Sequence, residues 1–334
     1  MIARSGPTWQ TSTWQNQQSQ AIRDPKELLK RLNLSEKQLP GMLHAGEQFP
    51  LRVTESYLSR MRLGDPNDPL LLQILPQGRE LKTIDGYSLN PVGDQEAMPL
   101  PGLLHKYQGR CLLVLTAACA VHCRYCFRRH FPYQEARLDD KALENALNYI
   151  AMDDSLEEII LSGGDPLSVS DNRLAQLINQ LDKIPHLKRL RIHSRQPVVL
   201  PSRVTDELLS TLSKSRLKKI IVLHFNHANE FNDEVNFALS RLADHHFTLL
   251  NQSVLLKGIN DSLSTLKELS ETLFEQRILP YYLHLLDKVS GSAHFDIPII
   301  DAQKLHQQLR ASLPGYLVPL LVQERAGERN KTPI

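Results

Sequence analysis

Across 334 residues this chain holds only four cysteines, almost no excess of either charge, and no long apolar run. Each shortage removes a class of protein. Lys and Arg number 39 against 37 Asp and Glu, so there is no basic stripe of the kind that tracks a nucleic-acid backbone, where a domain pI above roughly 9 is usual. No stretch approaches the ~20 apolar residues of a membrane span. The first twenty residues are rich in Gln, Ser and Thr and lack the apolar centre of a secretory signal. With 41% hydrophobic and 23% charged residues, neither global disorder nor a membrane class is indicated. Few, clustered cysteines exclude a disulfide framework and fit a reducing compartment, hence the cytoplasm.

Three of the four cysteines fall within eight residues, Cys119, Cys123 and Cys126, directly after the apolar run Leu112-Leu113-Val114-Leu115. Thiolates this close converge on one inorganic centre only if the backbone loops around it, and the strand-like run supplies a rigid stem. A structural zinc site takes four protein ligands and a ferredoxin-type cluster four cysteines, so three predict a centre with an open corner. On these residues alone a zinc-dependent binding module, its site completed by His122 or His130, stays open. Cys111, inside the apolar run, is expected to be a buried small hydrophobe.

The length exceeds the ~250–300 residues that one core usually organises, which predicts a main domain with an appendage. Asp24-Pro25 and Asp68-Pro69 each place a capping residue before a proline suited to a first helical turn. Residues 1–20 are therefore expected to be a flexible N-terminus and 21–100 a helical region with a connector. The connector, rich in Gly and Pro from Asp85 on, reaches the main domain near Pro101. From there short apolar runs at 111–116, 157–161, 187–193, 218–225, 247–255 and 279–286, with a seventh at 316–323, alternate with helical segments. Leu143, Ala146, Leu147 and Ile150 mark one helix and Leu174, Leu177, Ile178 and Leu181 the next, with Asp171 and Thr205 as caps. Such alternation builds a parallel α/β sheet, either a partial barrel over 101–315 or a doubly wound open sheet.

In either fold, ligands meet the C-terminal ends of the strands. There the second run opens into Ser162-Gly163-Gly164-Asp165, whose glycines would let backbone approach a ligand. His193, Ser194 and Arg195 follow the third run, and His224, Asn226 and His227 the fourth. These histidines are expected to be hydrogen-bonded structural residues rather than metal ligands.

The spacing Cys-x3-Cys-x2-Cys with Tyr125 before the last cysteine resembles the signature of the radical S-adenosylmethionine (SAM) enzymes. The resemblance implies a [4Fe-4S] cluster on Cys119, Cys123 and Cys126, with SAM on the fourth iron. It implies SAM contacts from Tyr125 and from Gly163, Gly164 and Asp165, and a partial (β/α)6 TIM-like barrel. From Pro101 onward, Pro101-Gly102-Leu103-Leu104-His105-Lys106-Tyr107, Cys126-Phe127-Arg128-Arg129, Asn251-Gln252-Ser253-Val254-Leu255-Leu256, Tyr281-Tyr282-Leu283-His284 and Lys331-Thr332-Pro333 are similar to the lysine 2,3-aminomutases.

That likeness implies pyridoxal 5′-phosphate (PLP) as an imine on Lys331, in a tail over 316–334 that orders when the cofactor binds. It places Lys106, Tyr107 and Arg110 at the PLP phosphate, Arg128 at the carboxylate of free L-lysine, and Asp287 and Glu324 at its ε-ammonium. A guanidinium suits a carboxylate because it grips both oxygens in one plane. Two departures stand out: Gly327-Glu328-Arg329-Asn330 replaces a glycine run, and no cysteines follow for a C-terminal zinc site. The short form, with Glu324 in place of an aspartate, resembles the bacterial aminomutases that supply (R)-β-lysine for elongation factor P and its lysyl ligase. Aminomutases of lysine catabolism or osmolyte synthesis are the nearest alternative. Direct contact with elongation factor P and assembly as a homo-oligomer are left open.

Overall fold

Alternation along the strands decides the architecture. The computed structural model describes residues 13–38 and 41–334, and in it β1 (Leu103–Tyr107), β2 (Arg110–Thr116), β3 (Glu158–Gly163), β4 (Arg189–Ser194), β5 (Lys218–Leu223), β6 (Thr248–Val254), β7 (Leu279–His284), β8 (Leu320–Gln323) and β9 (Thr332–Pro333) form one sheet in that order. Strands β2 to β8 are mutually parallel. Helices Asp140–Met152, Asp171–Leu181, Asp206–Ser213, Asp233–Asp244, Leu263–Glu275 and Ile299–Ser312 separate them. That makes six βα units, as the apolar runs predict. No pairing joins β1 to β9 among the described residues, so the sheet is a partial barrel.

One parity of each strand packs outward on the helices. Cys111, Leu113, Leu115, Ile159, Leu161, Leu190, Ile192, Ile221, Leu223 and Leu249 belong to the main hydrophobic cluster, with Ala146, Ile150, Leu174 and Leu177 from the facing helices. The opposite parity turns inward and is far more polar: Arg110, Glu158, Arg189, Arg191, His193, His224, Gln252, Tyr282 and His284 line a central cavity. Eight-stranded barrels fill this space with Val, Ile and Leu. Here it is left for ligands.

Several boundaries differ from expectation. Strand β1 is absent from the apolar-run reading because His105 and Lys106 interrupt it; Gly102, at φ 75° with Leu138 and the Ala136 carbonyl where a Cβ would stand, starts it. Ser170, not Asp171, caps the helix Asp171–Leu181, and Asp171 pairs instead with the buried Arg203 at 2.7 Å. The seventh run begins only at Leu320, since Gly315–Leu317 is a 3-10 turn. Of the N-terminus expected to be flexible, residues 1–12 lie outside the described residues. Trp14–Ser19 form a helix capped by Thr13, with the Trp14 ring 4.4 Å from the Arg203 guanidinium.

The N-terminal helices are capped by Asp24 and Asp68 as predicted, and by Thr54 as well, and Leu28, Leu51, Tyr57, Leu70 and Ile74 share the barrel's cluster. They also grip the cysteine loop. Arg124, fully buried, donates through Nε and Nη2 to Glu80 at 2.9 and 2.6 Å and through Nη1 to the Phe49 carbonyl at 2.6 Å. Arg129 donates to the same Glu80 at 2.9 Å. Backbone bonds from His122 to Arg52 and from Arg124 to Gln73 complete the hold. A paired fork of this kind fixes geometry as well as charge. Removing Glu80 strands two guanidiniums in the interior, at a cost of about 3–5 kcal/mol. Glu80→Ala is therefore expected to lower the urea midpoint clearly at unchanged slope, with Glu80→Gln less affected; an unaltered midpoint in Glu80→Ala would refute the clamp.

Candidate active site

The cavity inside the partial barrel has a volume of about 790 Å³. Cys119, Cys123 and Cys126 stand in its wall, brought together by a turn in which the Cys126 amide donates to the Cys123 carbonyl at 3.1 Å. Burial holds the Cys119 thiol well above its ordinary value and pushes Cys126 up to about 11. A metal centre reverses that preference, since a coordinating thiol is deprotonated outright. One cation is already in place: Arg195 Nη1 donates to Cys123 Sγ at 2.7 Å. Among the described residues no three His, Cys, Asp or Glu side chains crowd onto one point. Cys119, Cys123 and Cys126 in one cavity wall give three thiol donors, the set for a centre with one open corner.

Gly163, Gly164 and Asp165 line the cavity, and their segment also holds the cysteine loop. Gly164 N donates to the Thr116 carbonyl at 2.6 Å and Asp165 N to Ala118 at 2.8 Å, so these amides fasten the stem of the cysteine loop. A Cβ on Gly164 would lie 2.6 Å from the Ala118 carbonyl oxygen, and one on Gly163, at φ 120°, 2.8 Å from that of Thr116. Close backbone approach to the loop is thus required at both glycines. The Asp165 carboxylate is saturated, Oδ1 accepting from Ser194 Oγ and Leu167 N, Oδ2 from Arg195 N and Gln196 N, all within 3.0 Å. It positions Arg195. The Tyr125 hydroxyl accepts from Asn226 Nδ2 at 2.7 Å, and its ring lies 5.7 Å from the Arg195 guanidinium. Gly164→Ala is expected to displace the stem and lower the iron retained after anaerobic reconstitution severalfold, with far-UV circular dichroism preserved.

Lys331 reaches the same cavity from the tail. In the tail β9 pairs antiparallel with β8, Gln323 opposite Thr332, and Ile334 N donates to Leu321 at 3.1 Å. Lys331 Nζ donates to Glu324 Oε2 at 2.7 Å and lies 5.9 Å from the Tyr282 ring. Lys106, expected at the PLP phosphate, has all three of its N–H donors engaged, by the Val92 carbonyl at 2.7 Å, Glu324 Oε1 at 3.0 Å and Asp94 Oδ1 at 2.6 Å. Arg110, stacked on Tyr107 at 4.6 Å, takes no part in the carboxylate pairs that hold Lys106, Arg189 and Arg191. Tyr107 is hydrogen-bonded to Glu324 in turn.

Arg128 donates through Nε to Asp94 at 2.7 Å and through Nη1 to Ser162 Oγ at 3.0 Å. Glu324 is opposed by burial, yet Lys331 and then Lys106 hold its carboxyl well below the usual range. Asp287 is the opposite case. The residue is half-buried, but its Oδ1 is shielded from solvent with no hydrogen-bond partner, and desolvation, with Glu324 nearby, pushes its pKa up to about 7.

Three histidines complete the wall. Burial lowers His193 and His284, and His224 to about 3, so all are neutral imidazoles. His224 Nε2 meets Gln252 at 2.9 Å and His227 Nδ1 accepts from Asn229 N at 3.0 Å, as expected of structural histidines, but Nε2 of His193 is unpartnered against that expectation, and so is Nε2 of His284. Their alternation with outward Ile192 and Leu283 was the available signal. Asp94 and Ser162 were missed for lack of any local signal, since both partners lie 34 residues from Arg128.

The raised Asp287 pKa has a definite consequence for stability. Between the unfolded value of about 4 and the folded value of about 7 the native state binds the extra proton, so its stability falls as pH rises through that window. Asparagine imitates the protonated acid. In the cofactor-free protein Asp287→Asn should gain stability on the order of 3 kcal/mol near pH 8, with the gap closing toward pH 4; denaturation midpoints along that pH series check it.

Residues 113–268 match the radical SAM superfamily. The L-lysine 2,3-aminomutase of Haemophilus influenzae is 49% identical over 93% of this chain and 92% of that protein. For that of Escherichia coli K12 the identity is 46%, over 96% and 94%. For that of Clostridium subterminale it is 37%, over 96% of this chain and 77% of the relative. Among the described residues no helix is long and apolar enough to cross a membrane.

Proposed function

This chain belongs to the L-lysine 2,3-aminomutase family of the radical SAM superfamily, and from that premise we propose that it moves the α-amino group of free L-lysine to C3 with PLP carried on Lys331. The observation that supports this reading best is the unpartnered carboxylate oxygen of Asp287, buried in the same cavity as the three cysteines and Lys331. A buried polar atom without a partner costs about 1–3 kcal/mol, and an ammonium ion is the group that would satisfy it.

When bound, the cluster and SAM supply a 5′-deoxyadenosyl radical that takes hydrogen from C3 of the substrate, and PLP supplies the carrier through which nitrogen moves. The chain supplies position and exclusion of water. Cys119, Cys123 and Cys126 would hold the cluster, with the Arg195 guanidinium against Cys123 and Asp165 fixing Arg195 from behind. Arg110 and Tyr107 would take the cofactor phosphate. Arg128 would grip the substrate carboxylate, while Asp287 and Glu324 would face its ε-ammonium, a pairing that selects lysine over shorter amino acids. Lys331 must leave Glu324 to carry PLP, which frees one Glu324 oxygen for the substrate.

A finer reading follows the resemblance to the short bacterial forms: the product is (R)-β-lysine, made in the cytoplasm for the ligase that modifies elongation factor P. Anaerobic reconstitution with iron, sulfide, PLP, SAM, dithionite and L-lysine should yield β-lysine, resolved by chiral chromatography. Borohydride should fix pyridoxal on Lys331, and Lys331→Ala should abolish both results. No β-lysine from the wild type, or label on Lys288, would overturn the reading. Transfer of the (S) product by the ligase in place of the (R) product would overturn the finer one.

A further inference from the structure

The groups assigned to the two ends of the substrate are not independent. Arg128, Asp94, Lys106, Glu324 and Lys331 form one row of alternating charge. Glu324 spends Oε2 on Lys331 at 2.7 Å and Oε1 on Lys106 at 3.0 Å. Asp94 spends Oδ1 on Lys106 at 2.6 Å and Oδ2 on Arg128 at 2.7 Å. Each carboxylate thus gives one oxygen to each of two cations. Asp94 stands between Arg128 and Lys106 with its side chain only 3% exposed, where such pairs are little screened by solvent.

Asp94 is itself held from three directions. Its amide donates to Asn90 Oδ1 at 3.0 Å. The preceding Gly93, at φ 67°, comes so close to the tail that a Cβ there would lie 3.1 Å from that of Ala326. Farther back, Ser88 exchanges backbone bonds with Lys288 and Ser290, directly after Asp287. The connector that leads into the barrel is therefore fastened to the segments bearing Asp287 and Glu324.

We propose that Asp94 is a positioning residue for the substrate, holding Arg128 and, through Lys106, Glu324 at one fixed spacing. This rests on the reading of Arg128 and Glu324 given above. With Asp94 neutralised, the Arg128 guanidinium loses the anion that orients its Nε edge. Lys106, left with one carboxylate, settles more fully on Glu324 and masks it from the substrate ammonium. Both ends of lysine are then bound less well, while Lys331, Arg110 and the cysteines are untouched.

Asp94→Asn in the reconstituted, PLP-loaded enzyme should raise the KM for lysine at least tenfold with kcat changed no more than about threefold. Iron content and the pyridoxal imine absorbance should stay at wild-type levels. Asp94→Glu keeps the charge and should recover most of the affinity. Calorimetric titration of lysine into the PLP-loaded protein without SAM reads the same effect without turnover. An unaltered lysine affinity in Asp94→Asn overturns the proposal, as does a loss of iron and pyridoxal in both variants, which marks a merely structural residue. Wild-type enzyme that neither binds lysine nor makes β-lysine breaks the underlying functional reading instead.

Discussion

Charge taken out of water must find a partner, and most of this site is the consequence of that demand. Glu80 answers Arg124 and Arg129, Glu230 and Cys123 answer Arg195, and Asp94 and Glu324 answer three cations among them. Because replacing a buried pair with apolar groups is often no less stable, these pairs are better understood as fixing geometry than as adding stability. Glu80 is the clearest case. Through it the N-terminal helices, which hold no cysteine, become the back plate of the loop that carries three.

Two layers of the barrel divide the labour. Outward positions on the strands bury apolar surface against helices, and inward positions carry arginines, histidines and carboxylates around the cavity. Function and packing are thereby written on alternate residues of the same segments. In Arg189–Ser194, Leu190 and Ile192 belong to the core while Arg191 and His193 face the cavity.

That interleaving explains what could be read in advance. The seven parallel strands were legible because their outward residues make apolar runs, and the caps at Asp24, Asp68 and Thr205 because capping is local. Cys119, Cys123 and Cys126 announce themselves by spacing. Strand β1 was not legible, since an edge strand with one polar face looks like a connector, and a two-residue strand such as β9 has no pattern at all. Partnerships were the least visible. Nothing near Asp165 reveals that it serves Arg195, nor near Lys106 that Asp94 and Glu324 claim its donors, because each pair joins segments 12 to 218 residues apart. Resemblance named the residues; only geometry showed which of them are free to meet a ligand.

The polar inner face also bears on how such a protein can change. Its side chains add little to the apolar burial that keeps the shell folded, so they can be exchanged one at a time without dismantling the barrel. Substrate choice in this architecture is therefore separable from folding, and a lineage could explore new amino acids by altering inward positions while the outward ones, and the loop clamped by Glu80, stay as they are.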